Sequence, residues 1–176
     1  MNGNVDRRVF EVPAAGGVVR PSLAARPRDG GRVPLSFAQG RLWFLDRLMG
    51  PGAAYNVPVA VRLRGEVDAG ALGAARGDVV ARHESLRTVF AEADGQPWQR
   101  VLDGGAGVPG LRVVACGAAG VAGAVEAEVR VPFDLGSQLP VRASLLVAGP
   151  GEQVLVVVMH HIASDGWSLG PLLRDL

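Results

Sequence analysis

The sequence predicts an α+β fold, a mainly antiparallel sheet with helices packed on it. Three observations lead there. Stretches with the two-residue alternation of strands are interleaved with stretches at helical spacing across residues 33–176. Short turn signals, Asp94-Gly95 and Gly149-Pro150-Gly151, join neighbouring strand-like stretches as hairpins. Residues 154–159 form an unbroken, mostly β-branched apolar run, which suits a buried strand rather than a helix. A chain of 176 residues that is 48% apolar suits one domain with one core.

Each element has its own signal. Residues 1–32 carry Pro, Gly and Arg without periodicity and read as a linker or docking segment. Ser36 with Gln39 has the form of a capping box, opening a helix over residues 37–48 whose apolar face includes Leu42, Trp43, Phe44, Leu45 and Leu48 and which stops before Gly50-Pro51-Gly52. Leu42, Trp43 and Leu45 are expected in the core, with Gln39 and Arg41 reaching toward a cleft. Val57, Val59, Val61 and Leu63 alternate as in a half-buried strand. Asp68 caps a helix over residues 68–81, with Leu72, Ala75, Val79 and Val80 as its buried stripe. The block from Arg82 to Arg87 then runs into a strand through Val89 and Phe90, paired across Asp94-Gly95 with residues 98–102. A short strand at 111–114 and a helix over 118–129 follow, with Val121, Val125 and Val129 on one face. Residues 141–147 should pair antiparallel with the strand at 153–159, and Ser168 opens a last helix with Leu169, Leu172, Leu173 and Leu176.

The chemistry concentrates where the apolar run ends, in His160-His161-Ile162-Ala163-Ser164-Asp165-Gly166. Successive strand residues point to opposite faces, so one imidazole faces a cleft and the other a packing layer. A neutral imidazole at a strand end is suited to general base work. Asp165 either orients an imidazole or pairs with an arginine to fix the loop, and Gly166 permits the positive φ of a sharp exit. Arginines at a helix C-terminus are expected on dipole grounds alone.

HHxxxDG resembles the signature of acyltransferases related to chloramphenicol acetyltransferase, and the longer HHIASDGWS is similar to the condensation domains of nonribosomal peptide synthetases. Two further blocks carry the same resemblance in the same order: residues 36–45, SFAQGRLWFL, and residues 82–90, RHESLRTVF. Tyr55-Asn56-Val57-Pro58 and Pro132-Phe133-Asp134-Leu135 add weaker matches. The resemblance implies that residues 33–176 are the N-terminal lobe of a two-lobed fold whose active site lies in the tunnel between lobes, with the second lobe absent. It implies His161 as the catalytic position, His160 as structural, Asp165 as the loop-fixing carboxylate and Gly166 as a backbone requirement. It also implies a buried ion pair of Arg82 or Arg87 with Asp165. The implied reaction is aminolysis of a thioester by an α-amino group. Both substrates ride on the phosphopantetheine arms of donor and acceptor carrier domains beside adjacent synthetase modules, with no directly bound cofactor and no metal.

Two rival classes share part of this pattern: a coenzyme-A-dependent acyltransferase of the same fold, and a non-catalytic lobe serving as an interaction module. The alternative subtypes have their own marks, and neither aspartates in place of the histidines nor an extra His-rich motif occurs; an L- or D-donor peptide-bond-forming domain is the expectation. A lone lobe is expected to expose apolar surface, to self-associate and to be inactive by itself.

Composition narrows the rest. All 18 basic residues are arginine, the formal charge is +1, and no basic run appears, which argues against nucleic acid. The glycines at 104, 105 and 107 are not followed by a phosphate-loop lysine. One cysteine, Cys116, excludes an internal disulfide, and three histidines, two adjacent, do not make a zinc site. With no long apolar span, the membrane is not an expected partner and the cytoplasm is the expected location.

Overall fold

The computed structural model describes residues 32–104 and 108–176; apart from Arg32, the expected linker or docking segment lies outside them. Two sheets form instead of the single one expected. The first is three-stranded, ordered β1 (Val33–Pro34), β4 (Gln96–Val101), β3 (Thr88–Ala93), and the second four-stranded, ordered β2 (Asn56–Arg64), β7 (Glu152–His160), β6 (Val141–Gly149), β5 (Arg112–Ala115). All pairings are antiparallel except β5 with β6, which are parallel. That exception follows from connectivity, because α3 (Gly117–Arg130) lies between the two strands and carries the chain back for a parallel return.

Local signals act as the sequence predicts. Ser36 and Gln39 close a reciprocal capping box at the start of α1 (Phe37–Met49), and the Asp68 carboxylate accepts the Gly70 and Ala71 amides at the start of α2 (Ala69–Arg82). At the β3–β4 hairpin Asp94 and Gly95 both adopt positive φ, 54° and 73°, the handedness a tight two-residue turn needs. A single 3₁₀ turn, Glu84–Arg87, leads from α2 into β3.

Strand β7 is central and buried on both faces. Leu155, Val157 and Met159 pack with Val79, Val80 and Leu172 against α2 and α4 (Leu169–Asp175). Val154, Val156 and Val158 pack with Phe90, Phe133 and Leu146, with Trp43 of α1 and Val125 of α3 closing that side. An uninterrupted apolar run is the sequence a doubly covered strand requires.

Helix α1 departs from expectation. Leu42 and Trp43 pack on the core, but Phe37, Phe44 and Leu48, at i, i+7 and i+11, form an outward stripe, Phe44 being 57% and Leu48 68% exposed. The apolar surface of this helix is wider than the single face it buries. In helix α4 only Leu173 among the leucines is largely exposed, at 48%, because Leu169 and Leu172 dock on the α2 side of the core.

Candidate active site

The two histidines leave β7 in opposite directions, as strand alternation requires. His160 keeps the register of Val156 and Val158 and is 1% exposed, while His161 stands exposed to solvent. Their amides are held by the residues just ahead of both neighbouring strands: His160 N–H donates to the Pro140 carbonyl (2.9 Å) and His161 N–H to the Tyr55 carbonyl (2.8 Å).

His160 is a packing residue. Its ring lies 6.1 Å from both the Tyr55 and Phe133 rings, edge-on to the latter, whose face carries the Arg142 guanidinium at 4.1 Å. Its Nδ1 accepts the Ile162 amide (3.1 Å), which starts the turn. Burial, helped by the neighbouring His161, pushes its pKa down to about 4, so it stays neutral at physiological pH.

His161 is positioned differently. Its Nδ1 lies 2.7 Å from the Ser164 carbonyl oxygen. A carbonyl only accepts, so in the neutral ring Nδ1 carries the proton and Nε2 presents a lone pair. The turn that supplies this carbonyl is itself fixed, because Ser164 is buried and the Ala163 amide returns to the His160 carbonyl (3.0 Å).

Asp165 completes the turn from within. Its carboxylate accepts both the Ser168 hydroxyl (2.6 Å) and the Ser168 amide (2.9 Å), while the Asp165 amide donates to the Ser168 hydroxyl oxygen (3.2 Å). Those bonds, the hydroxyl's first, hold its pKa below the usual carboxylate range. The expected ion pair with Arg82 or Arg87 does not form. Arg82 lies 3.2 Å from Asp175, which also meets His83 at 2.8 Å, and Arg87 donates to the carbonyls of Ala81 (3.1 Å) and Leu102. The cause is local: Arg87 follows a helix end whose carbonyls need donors, and Asp165 is already satisfied inside its own turn. Gly166 is a second correction. Its φ is not positive and a Cβ there would meet nothing within 4 Å, since the Asp165–Ser168 ring makes the turn without a left-handed residue.

Gln39, expected near a cleft, is committed to the capping box and to Gln99 (3.1 Å), whereas Arg41 is exposed. Several organising residues are not evident from sequence reasoning. Tyr55 supplies the carbonyl under His161, Asn56 ties β2 to the Val129 and Val131 carbonyls at the end of α3, and Phe133 packs on His160. Their signal was present in the two short blocks Tyr55-Asn56-Val57-Pro58 and Pro132-Phe133-Asp134-Leu135, which converge on the histidines. Among the described residues no three His, Cys, Asp or Glu side chains gather as a metal site, and no helix is long and apolar enough to cross a membrane.

Fold and turn together define a class of α+β chains in which an HHxxxDG turn ends a doubly buried strand. Within that class the chain belongs to the condensation-domain family, whose model matches residues 30–176. It is 54% identical over 160 residues, 91% of its length, to the probable non-canonical nonribosomal peptide synthetase CymA of Salinispora arenicola, and 46% identical over 96% of its length to a dimodular nonribosomal peptide synthase of Bacillus subtilis. Among solved structures it superposes with a TM-score of 0.79 and 35% identity, over 91% of its length, on the X-domain in the complex of the X-domain and OxyB from teicoplanin biosynthesis. The chain spans 2% and 7% of those two synthetases and 34% of the X-domain chain.

Proposed function

We propose that this lobe contributes the HHxxxDG half of a condensation site in which the α-amino group of a carrier-bound acceptor attacks a carrier-bound donor thioester, in the cytoplasm and within a nonribosomal peptide synthetase. The observation that carries this reading is the exposed His161 ring with Nδ1 anchored on the Ser164 carbonyl, which leaves Nε2 as the proton acceptor. As the C–N bond forms and the C–S bond breaks, Nε2 of His161 takes the ammonium proton and returns it to the departing phosphopantetheine sulfur. An α-amino group has a reference pKa of roughly 7.7–8.0, so near neutrality the fraction that has already lost its ammonium proton is the nucleophile, and the base takes the further proton that nitrogen sheds as the C–N bond forms. Asp165 acts at one remove, holding through Ser168 the turn that carries the Ser164 carbonyl. His160 keeps β7 and the turn in register. Residues 1–32 are assigned to a linker or docking element toward a neighbouring carrier or module.

The test is single-turnover amide formation in the intact synthetase module with both carriers loaded. His161→Ala should slow it by about 10²-fold or more while both carriers still bind. An unchanged rate removes His161 from the chemistry. A second reading, a non-catalytic interaction module, is favoured by the similarity to an X-domain seen in complex with OxyB. Absence of turnover in the wild-type module with both carriers loaded, together with retained protein binding, decides for it.

A further inference from the structure

The block from Arg82 to Arg87 reaches the histidine turn by a route other than Asp165. His83 closes the C-terminus of α2, its amide donating to the Val79 carbonyl (3.0 Å). Its Nε2 lies 2.8 Å from the Asp175 carboxylate, and because a carboxylate only accepts, Nε2 carries the proton. Arg82 Nε meets the same oxygen at 3.2 Å. The two donors are not equal. The Arg82 side chain is 72% exposed, where water and salt screen an ion pair, whereas those of His83 and Asp175 are 31% and 20% exposed. His83 is therefore the stronger tie.

What His83 holds is the helix on which the turn depends. Helix α4 has seven residues, too few to be stable without tertiary packing. Leu169 and Leu172 dock it on the core, and Asp175 fastens its far end to α2. At its near end the Ser168 carbonyl accepts the Leu172 amide (3.1 Å), so Ser168 moves with the helix. Ser168 in turn supplies the hydroxyl and the amide that bind Asp165, closing the turn whose Ser164 carbonyl orients His161. We infer that His83 is a positioning residue for His161, acting through Asp175, α4 and the hydrogen-bonded ring of Asp165 and Ser168. Its effect on rate rests on the condensation reading, whereas its effect on the turn and on the His161 ring is measurable without turnover.

Two measurements test His83 in this role. In the 176-residue chain, amide hydrogen exchange at Ser168 and Leu172 and the ring-nitrogen NMR signals of His161 are compared between wild type, His83→Ala and His83→Gln, which returns an N–H donor to the place of Nε2. His83→Ala should speed exchange at both amides by about tenfold or more, leave the amides of β7 as slow as in wild type, and move the His161 signals from the Nδ1-protonated form toward a mixture of tautomers. His83→Gln should restore most of each. Asp175→Ala should reproduce the loss, with no further change when it is combined with His83→Ala. Arg82→Ala, which removes the exposed partner, should do less. In the intact synthetase module His83→Ala should slow single-turnover amide formation by about tenfold while both carriers bind as before. Unchanged exchange at Ser168, a uniform rise that includes β7, unmoved His161 signals, no recovery with His83→Gln or a normal module rate for His83→Ala would each overturn the assignment. A wild-type module without turnover would instead remove the condensation reading, and the exchange and NMR results would then decide for or against His83 by themselves.

Discussion

Acidification should weaken this fold through His160 before most of its carboxylates matter. The imidazole takes up a proton near pH 6.5 in an unfolded chain but only at about 4 when folded, because it is buried between Tyr55 and Phe133 and beside His161. Between those values the unfolded state binds more protons, so stability falls as pH drops through the window from 6.5 to 4 and is independent of this group above it. At 1.36 kcal/mol per pKa unit the loss is at most about 3 kcal/mol, a large part of the stability of an ordinary domain. The perturbation that isolates it is His160→Asn, whose amide oxygen can still accept the Ile162 amide but never titrates in this range. Urea unfolding of both proteins at pH 7.5, 5.5 and 4.5 should show a wild-type advantage at the highest pH that shrinks on acidification, with contributions of shared carboxylates cancelling in the difference. Parallel curves, or an NMR titration midpoint for folded His160 near 6.5, would refute the reasoning.

Two other outcomes are expected. The Glu128 carboxylate, on a residue 5% exposed, pairs with Arg112 and accepts the Ser144 hydroxyl (2.9 Å), so Arg112→Ala should cost about 3 kcal/mol in urea unfolding by leaving a buried charge unpaired. Adding Glu128→Leu to that variant should recover most of the loss, and no recovery would speak against the charge as the cause. The outward Phe37, Phe44 and Leu48 stripe on α1 and the 90% exposed Trp167 should make the chain self-associate with concentration, measured by sedimentation velocity. Phe44→Glu with Leu48→Lys should return it to monomer, and an unaltered distribution would clear this helix of the role.

Most of the secondary structure was legible because its determinants are short-range. Ser36 and Asp68 cap helices with their own side chains, Asp94-Gly95 turns a hairpin through its own φ values, and the buried run at 154–159 states its environment by lacking any polar residue. The alternation of β7 likewise places His160 and His161 on opposite faces without need of any tertiary contact. Partner choice is a different matter. The resemblance implies an ion pair of Asp165 with Arg82 or Arg87, yet the hydrogen bonds of Asp165 are closed by Ser168, three residues away, while the arginines meet Asp175 and the carbonyls that the end of α2 and the end of β4 bring to them. Several groups of comparable charge compete for each partner, and only the packed chain settles which are within reach.

Caps, turns and periodicity act over a few residues and therefore make most of the elements and the strand-end position of the two histidines readable in the chain, while the motif blocks point to the family. The division into two sheets, the parallel β5–β6 pair and the burial of Arg76 and Glu128 come only from the packed chain. Those depend on residues far apart in the chain being brought within about 3–4 Å, a distance over which hydrogen bonds and ion pairs act and which no local pattern encodes.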